Sequence, residues 1–178
     1  VVAIVSTLAF GVLAGVVIGI GLSLLWLVRV ATAPGIAELG RQPGTQVFRE
    51  LDEHPGDEQI PGVVVLRLDG GLFFATSDTL EDRLRQVIHE TPDLTGIVLD
   101  CQGINFIDSQ GSAKLLEMVE LAQESAITLR LAHLKASVRP TLKRDGVFAL
   151  FGPERIHGNV FRAVEAQLEA GSGEEPSA

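Results

Sequence analysis

Charge is missing from the first 28 residues of this 178-residue chain, and Arg29 is the first ionisable side chain. A stretch without charge is unsuited to an ordinary water-facing surface. Val1 to Val28 also exceeds the ~20 apolar residues that cross the ~30 Å hydrocarbon core of a bilayer. No basic residue precedes the run and it is about twice the ~7–15 residues of a signal h-region, which counts against a cleaved signal peptide despite the small-residue sequence Ala31-Thr32-Ala33. Cysteine is almost absent: Cys101 is the sole one, which excludes an intrachain disulfide and fits a reducing compartment. Phosphate-binding and nucleophile signatures are missing too, with no Walker loop, no Gly-x-Gly-x-x-Gly after a strand and no Gly-x-Ser-x-Gly elbow. His54, His89, His133 and His157 lie far apart without metal-ligand spacing. The chain therefore reads as a non-enzyme without metal or cofactor. It also starts without an initiator methionine, and is read as a fragment of something larger.

What is present divides into an apolar segment, residues 1–30, and an acidic remainder large enough for one domain of ~100–150 residues. The net charge of −9 lies entirely outside residues 1–28, which disfavours nucleic acid and anionic lipid as partners of the soluble part. Gly11, Gly15 and Gly19 recur at four-residue spacing and predict a helix face open to close packing. Trp26 followed by Arg29 suits an interfacial anchor, and Arg29 and Arg41 slightly favour a cytoplasmic exit.

Pro34-Gly35, Gly40 and Pro43-Gly44 break periodicity, so residues 31–46 are expected to form an extended linker. A first strand is expected at Val47–Leu51, then a polar loop, a buried strand at Val63–Leu68 and, after Gly70-Gly71, a short partner strand at Leu72–Phe74. From Ser77 the period becomes helical (Leu80, Leu84, Val87, Ile88), with Asp78, Glu81 and Asp82 placed in the first turn. A central strand at Ile97–Leu99, a helix from Asp108 towards Glu124 and a strand at Ile127–Leu131 follow. A helix capped by Ser137 and stopped by Gly146, a short strand at Arg155-Ile156 and a final helix with Val160, Val164 and Leu168 complete the domain. Residues 171–178 read as a disordered acidic tail. Such alternation builds an α/β sheet with helices mostly on one face.

One segment carries a candidate site: Asn105-Phe106-Ile107-Asp108-Ser109-Gln110-Gly111, between the central strand and its helix. Asp108 is a good N-cap and Ser109 falls in the first turn. Free amides and the helix dipole there would stabilise a phosphoryl group on Ser109, while Asp108 would repel it. The plainer reading is that both residues cap the helix.

Gly96–Asp100, Ile107-Asp108-Ser109-Gln110-Gly111 and Ile127–Ala132 resemble the STAS domain, found in anti-sigma-factor antagonists and in the cytoplasmic C-termini of SulP-type (sulfate permease-like) anion transporters. The resemblance spans about residues 45–170, and the preceding Leu39–Arg49 text is similar to the transporter linker. It implies a STAS-like mixed sheet flanked by helices (residues 47–170), preceded by a transmembrane helical segment that ends the transporter's membrane domain. On the same resemblance residues 1–9 end the penultimate membrane helix and 12–30 form the last. The implied location is the cell membrane with the STAS domain in the cytoplasm. The implied function is regulation of anion transport through contact with the same transporter's membrane domain, a cytoplasmic regulatory protein or a second copy of the chain. No substrate-binding residue falls in this chain, because the family's anion site is built by earlier helices. Ser109 matches the serine phosphorylated in the antagonists, although Gln110 replaces their second hydroxyl residue. The alternative is a membrane-tethered antagonist-like switch phosphorylated on Ser109.

Overall fold

The computed structural model describes residues 4, 7, 11–32 and 35–172. It divides into two units, Val1–Pro34 and Gly35–Ala178. In the first, helix α1 (Val12–Thr32) follows Gly11, whose φ of +85° lies outside the helix. Its Val12–Arg29 window has mean hydropathy 2.2 and is long and apolar enough to cross a membrane. Trp26 and the leucines of this helix are exposed rather than packed. Of the three glycines expected on one helix face, Gly11 stands before the helix and Gly15 is closely approached, since a Cβ there would meet Thr7. The expectation for residues 1–9 falls on a stretch of which only Ile4 and Thr7 are described.

The second unit is a six-stranded mixed sheet in the order β2-β1-β3-β4-β5-β6. Its strands are β1 (Gly35–Arg41), β2 (Phe48–Glu50), β3 (Val63–Asp69), β4 (Gly96–Asp100), β5 (Thr128–Ala132) and β6 (Ile156–His157). β1 runs antiparallel to β2 and β3, while β3 to β6 are mutually parallel. The helices are α2 (Phe74–Glu90), α3 (Ser109–Glu124), α4 (Arg139–Arg144), α5 (Val147–Phe151) and α6 (Val160–Ser172).

Both sheet faces are buried, which the sequence spells out at period two. Leu66 and Leu68 of β3, Ile97 and Leu99 of β4, and Leu129 and Leu131 of β5 join one core with residues of α2 to α5. Val63, Val65, Val98 and Ala132 face the other way and meet Val160, Ala163 and Val164 of α6. The expected bias of helices to one face holds, with α6 alone covering the other. Arg130 secures that cover. It is only 7% exposed, and its guanidinium donates to Gln167 Oε1 (2.9 Å), the Ala166 carbonyl (3.1 Å) and the Glu154 carbonyl (2.9 Å). Its Nη1 also lies 3.3 Å from His157 Nε2. Because a guanidinium only donates, that imidazole nitrogen accepts.

Several boundaries depart from the sequence expectations. The predicted linker 31–46 contains β1, an interior strand paired through Leu39 to Val65. Gly40, read as a breaker, instead makes room for Leu51 and Asp57, which a Cβ would strike. Leu72–Phe74 forms no hairpin with β3, because β1 occupies that edge. Leu72 makes a single parallel bridge to Ile107, and Thr76 Oγ1, donating to the Gly71 carbonyl (2.7 Å) and accepting from Phe73 N–H (3.1 Å), starts α2 three residues before Ser77. Asp78 and Glu81 therefore lie past the first turn. Glu81 bonds Lys114 of α3 at 2.7 Å, and this contact, then Arg85, holds its carboxyl below the usual range. Val138, not Ser137, precedes α4. The last strand is Ile156–His157, one residue on from expectation, and α6 continues through Gly171 to Ser172, two residues into the predicted tail. The remaining tail residues, 173–178, lie outside the described residues.

Two outcomes follow from these contacts. Burial first, and the Arg130 charge second, lower the His157 pKa from its usual 6.5. The unfolded chain then takes up a proton before the folded one, so stability should fall as pH drops through about 6.5 and level off above it. His157→Gln should flatten that part of the pH profile in urea midpoints followed by the amide NMR signals of β5. Gly111 lies on the Leu72 carbonyl, where a Cβ would clash with the oxygen. Ala normally favours a helix over Gly by ~0.8–1.0 kcal/mol, but here Gly111→Ala should destabilise by ~1–3 kcal/mol through overpacking, read from the same midpoints.

Candidate functional site

The start of α3 lies beside the start of α2. Leu72 N–H donates to the Phe106 carbonyl (2.9 Å) and Asp108 N–H to the Leu72 carbonyl (3.3 Å), which stitches the two helix entries together. Asp108 is the N-cap: its Oδ1 accepts from Gly111 N–H at 2.7 Å. This satisfies one of the amides left free in a first turn. The polar loop leaves Ser109 and Gln110 exposed while Ile107 is buried. Phe74 and Phe106, the aromatic residues flanking this corner, are 67% and 59% exposed. Gln110 borders a cleft of about 250 Å³ between α2 and α3, with Phe74, Asp78, Lys114 and Glu117.

The structure brings Asp108 and Ser109 together as expected and adds Arg144, which the sequence reading missed. Arg144 Nη2 donates to Ser109 Oγ at 3.2 Å and its Nε to Asp145 Oδ1 at 2.8 Å. That pairing holds the Asp145 carboxyl below its usual range. Arg144 is 35 positions from Ser109, and only the return of the chain through β5 and α4 places it there. A phosphoryl group on Ser109 would have the guanidinium of Arg144 within reach and the carboxylates of Asp108 and Asp145 nearby. A charge-assisted contact to Arg144 offsets part of their repulsion.

A second polar cluster was also missed. Asp100, fully buried at the end of β4, accepts from Arg67 Nε (3.0 Å), His133 Nδ1 (2.9 Å) and Gln102 N–H (3.1 Å). His133 has φ +53°, a left-handed conformation costing ~1–3 kcal/mol outside glycine. An Asp followed by a turn at a strand end was the available signal, but nothing local links it to β3 or to the residue after β5. Cys101 beside it is buried, and burial pushes its thiol pKa up, away from reactivity. Among the described residues no group of three or more His, Cys, Asp or Glu is placed to hold a metal.

Comparison with known proteins fits this geometry. The family profile described as STAS domain matches residues 54–166. The chain is 32% identical over 170 residues to a protein of Arabidopsis thaliana named probable sulfate transporter 4.2, covering 90% of this chain and 25% of that one. It thus spans about a quarter of the length of that curated relative. Among solved structures it shares its fold with the murine solute carrier 26 family member A9 anion transporter in the inward-facing state (TM-score 0.73, 21% identity, 94% of this chain and 28% of that chain). It shares it also with a SulP transporter STAS domain from Vibrio cholerae (TM-score 0.56, 24% identity, 70% and 94%). With more than half of its residues matched by that profile, and a mixed sheet covered by helices on both faces, the chain belongs to the STAS domain family.

Proposed function

We propose that the chain is the C-terminal portion of a SulP-type transporter of sulfate or a related inorganic anion. It comprises a last membrane segment, α1, and a cytoplasmic STAS domain that regulates transport by contact rather than catalysis. The observation that carries this reading is the extent of the similarity. The alignment to the sulfate transporter runs over 170 residues, more than the domain match at residues 54–166 can hold, so it reaches into the segment that contains α1.

On this reading the corner formed by Phe74, Phe106 and the start of α3 is where a partner binds, whether the transporter's own membrane domain, a second copy or a cytoplasmic protein. Such a contact alters transport only if it is stronger in one transporter conformation than in another. A tenfold difference in affinity shifts that equilibrium by about 1.4 kcal/mol. Anion uptake by cells carrying the full-length transporter should change in rate or regulation when the protein is ended after Arg29. Unchanged uptake at equal expression would sink a regulatory role.

A membrane-tethered switch phosphorylated on Ser109 is the second reading, favoured by the Arg144 guanidinium on that hydroxyl. Incubated with cell extract and ATP, the chain should gain phosphate on Ser109, located by mass spectrometry. Arg144→Gln should leave the modified site less ordered, with the Ser109 amide signal broadened. An unmodified Ser109 under conditions that modify a control antagonist would leave Asp108 and Ser109 as a plain helix cap.

A further inference from the structure

The carboxyl ends of β3, β4 and β5 open onto a cavity of about 240 Å³ on the α6 side of the sheet. It is bordered by Phe48, Arg67, Gln102, His133, Asn159 and Phe161. In parallel α/β sheets the crevice outside the strands' carboxyl ends is where ligands settle. Three features here go beyond that general tendency. Asp100 fixes His133 through Nδ1, and since a carboxylate only accepts, the proton stays on Nδ1 and Nε2 is the nitrogen left for a ligand. Arg67 borders the cavity, gives its Nε to Asp100 and has Nη1 4.0 Å from Glu50. Finally, Val160 and Phe161 open α6, so their amides have no acceptor within the helix, while Asn159 Oδ1 takes the Arg162 amide at 2.8 Å.

A transition-metal ion does not suit this set, because among its described lining residues His133 is the one imidazole and there is no carboxylate or thiolate. An anion does. Arg67 and the α6 amides favour one, and of the two nearby carboxylates Asp100 is buried and already bonded. Asp100 is shared among three donors, and Glu50 of β2 stands 4.0 Å from Arg67 Nη1. The walls supplied by Val47, Phe48, Val160 and Phe161 are apolar and have no use for a bare inorganic ion. The volume is also below the ~300–1,000 Å³ of drug-sized sites. We propose that this cavity binds a small organic oxyanion, a carboxylate or phosphate monoester with a compact apolar body, its head on Arg67 and the first amides of α6 beside His133, its body against Phe48 and Phe161.

The charged groups facing His133 are Asp100 from β4 and Arg67 from β3, with Glu50 from β2 behind Arg67; α6 contributes no charged residue to the lining. The test is NMR titration of the full chain in detergent micelles with benzoate, phenyl phosphate and inorganic phosphate. The two organic probes should shift the Gln102, Val160 and Phe161 amides saturably, at least ~10-fold more tightly than inorganic phosphate. The tighter of the two identifies the head group. His133→Gln and Arg67→Lys should each weaken binding at least ~10-fold with the β5 and α3 signals unmoved. Absence of saturable shifts, equal affinity in folded His133→Gln, inorganic phosphate binding as tightly as the organic probes, or shifts centred on Ser109 would overturn the proposal.

Discussion

A sheet whose two faces are both apolar must be covered twice, and in this domain one helix does the second covering alone. α6 is held there by more than its valines. The Arg130 guanidinium reaches across from β5 to the backbone and side chains of α6 and to the Glu154 carbonyl, and Gln167 passes the connection on to the Thr95 carbonyl at 3.0 Å. Burying a guanidinium is costly unless its donors are satisfied. Here that requirement specifies position, because only one placement of α6 meets it. The cavity at the helix's first turn, the short edge strand β6 and the closed second core all depend on that placement.

The other face works differently. α2 and α3 pack over a continuous apolar core, and their polar contact is an ion cluster around Lys114, which meets Glu81 at 2.7 Å and Glu117 at 2.8 Å. The Glu117 end of the cluster is exposed and contributes little to stability, while Lys114 and Glu81 are partly buried. They orient the two helices so that Phe74, Phe106 and Ser109 emerge at one corner. The domain thus separates two tasks: the face with the larger apolar core presents a rigid outward corner, and the face with buried charge holds an inward cleft.

Much of this was legible from the chain. β3, β4 and β5 are short apolar runs bounded by turn residues, and α3 announced itself by Asp108 as cap and by Leu115 and Val119 as stripe. The STAS resemblance rested on those same segments. β1 was not legible because Gly35, Gly40 and the nearby prolines look like breakers, and strand formation there is decided by the free edge of β3 and by Leu51 and Asp57 filling the space above Gly40. Leu72–Phe74 looked like a strand because it is apolar, but Thr76 competes for its backbone groups. Arg144 beside Ser109, and Arg67 with His133 around Asp100, were invisible for one reason: each joins residues more than 30 positions apart, and charge complementarity along a sequence does not say which pairs meet.

β1 has a neighbour in sequence as well as in the sheet. Three peptide units join Thr32, the last residue of α1, to Gly35, the first of β1, and at ~3.3–3.6 Å each they reach at most ~11 Å. Slack in a tether of that length is soon exhausted. A pull on Gly35 falls first on the β1–β3 ladder, which pairs Gly35 to Leu39 with Asp69 to Val65, because β2 joins β1 only from Leu39 onward. A leash of this kind transmits displacement; a long flexible one would absorb it.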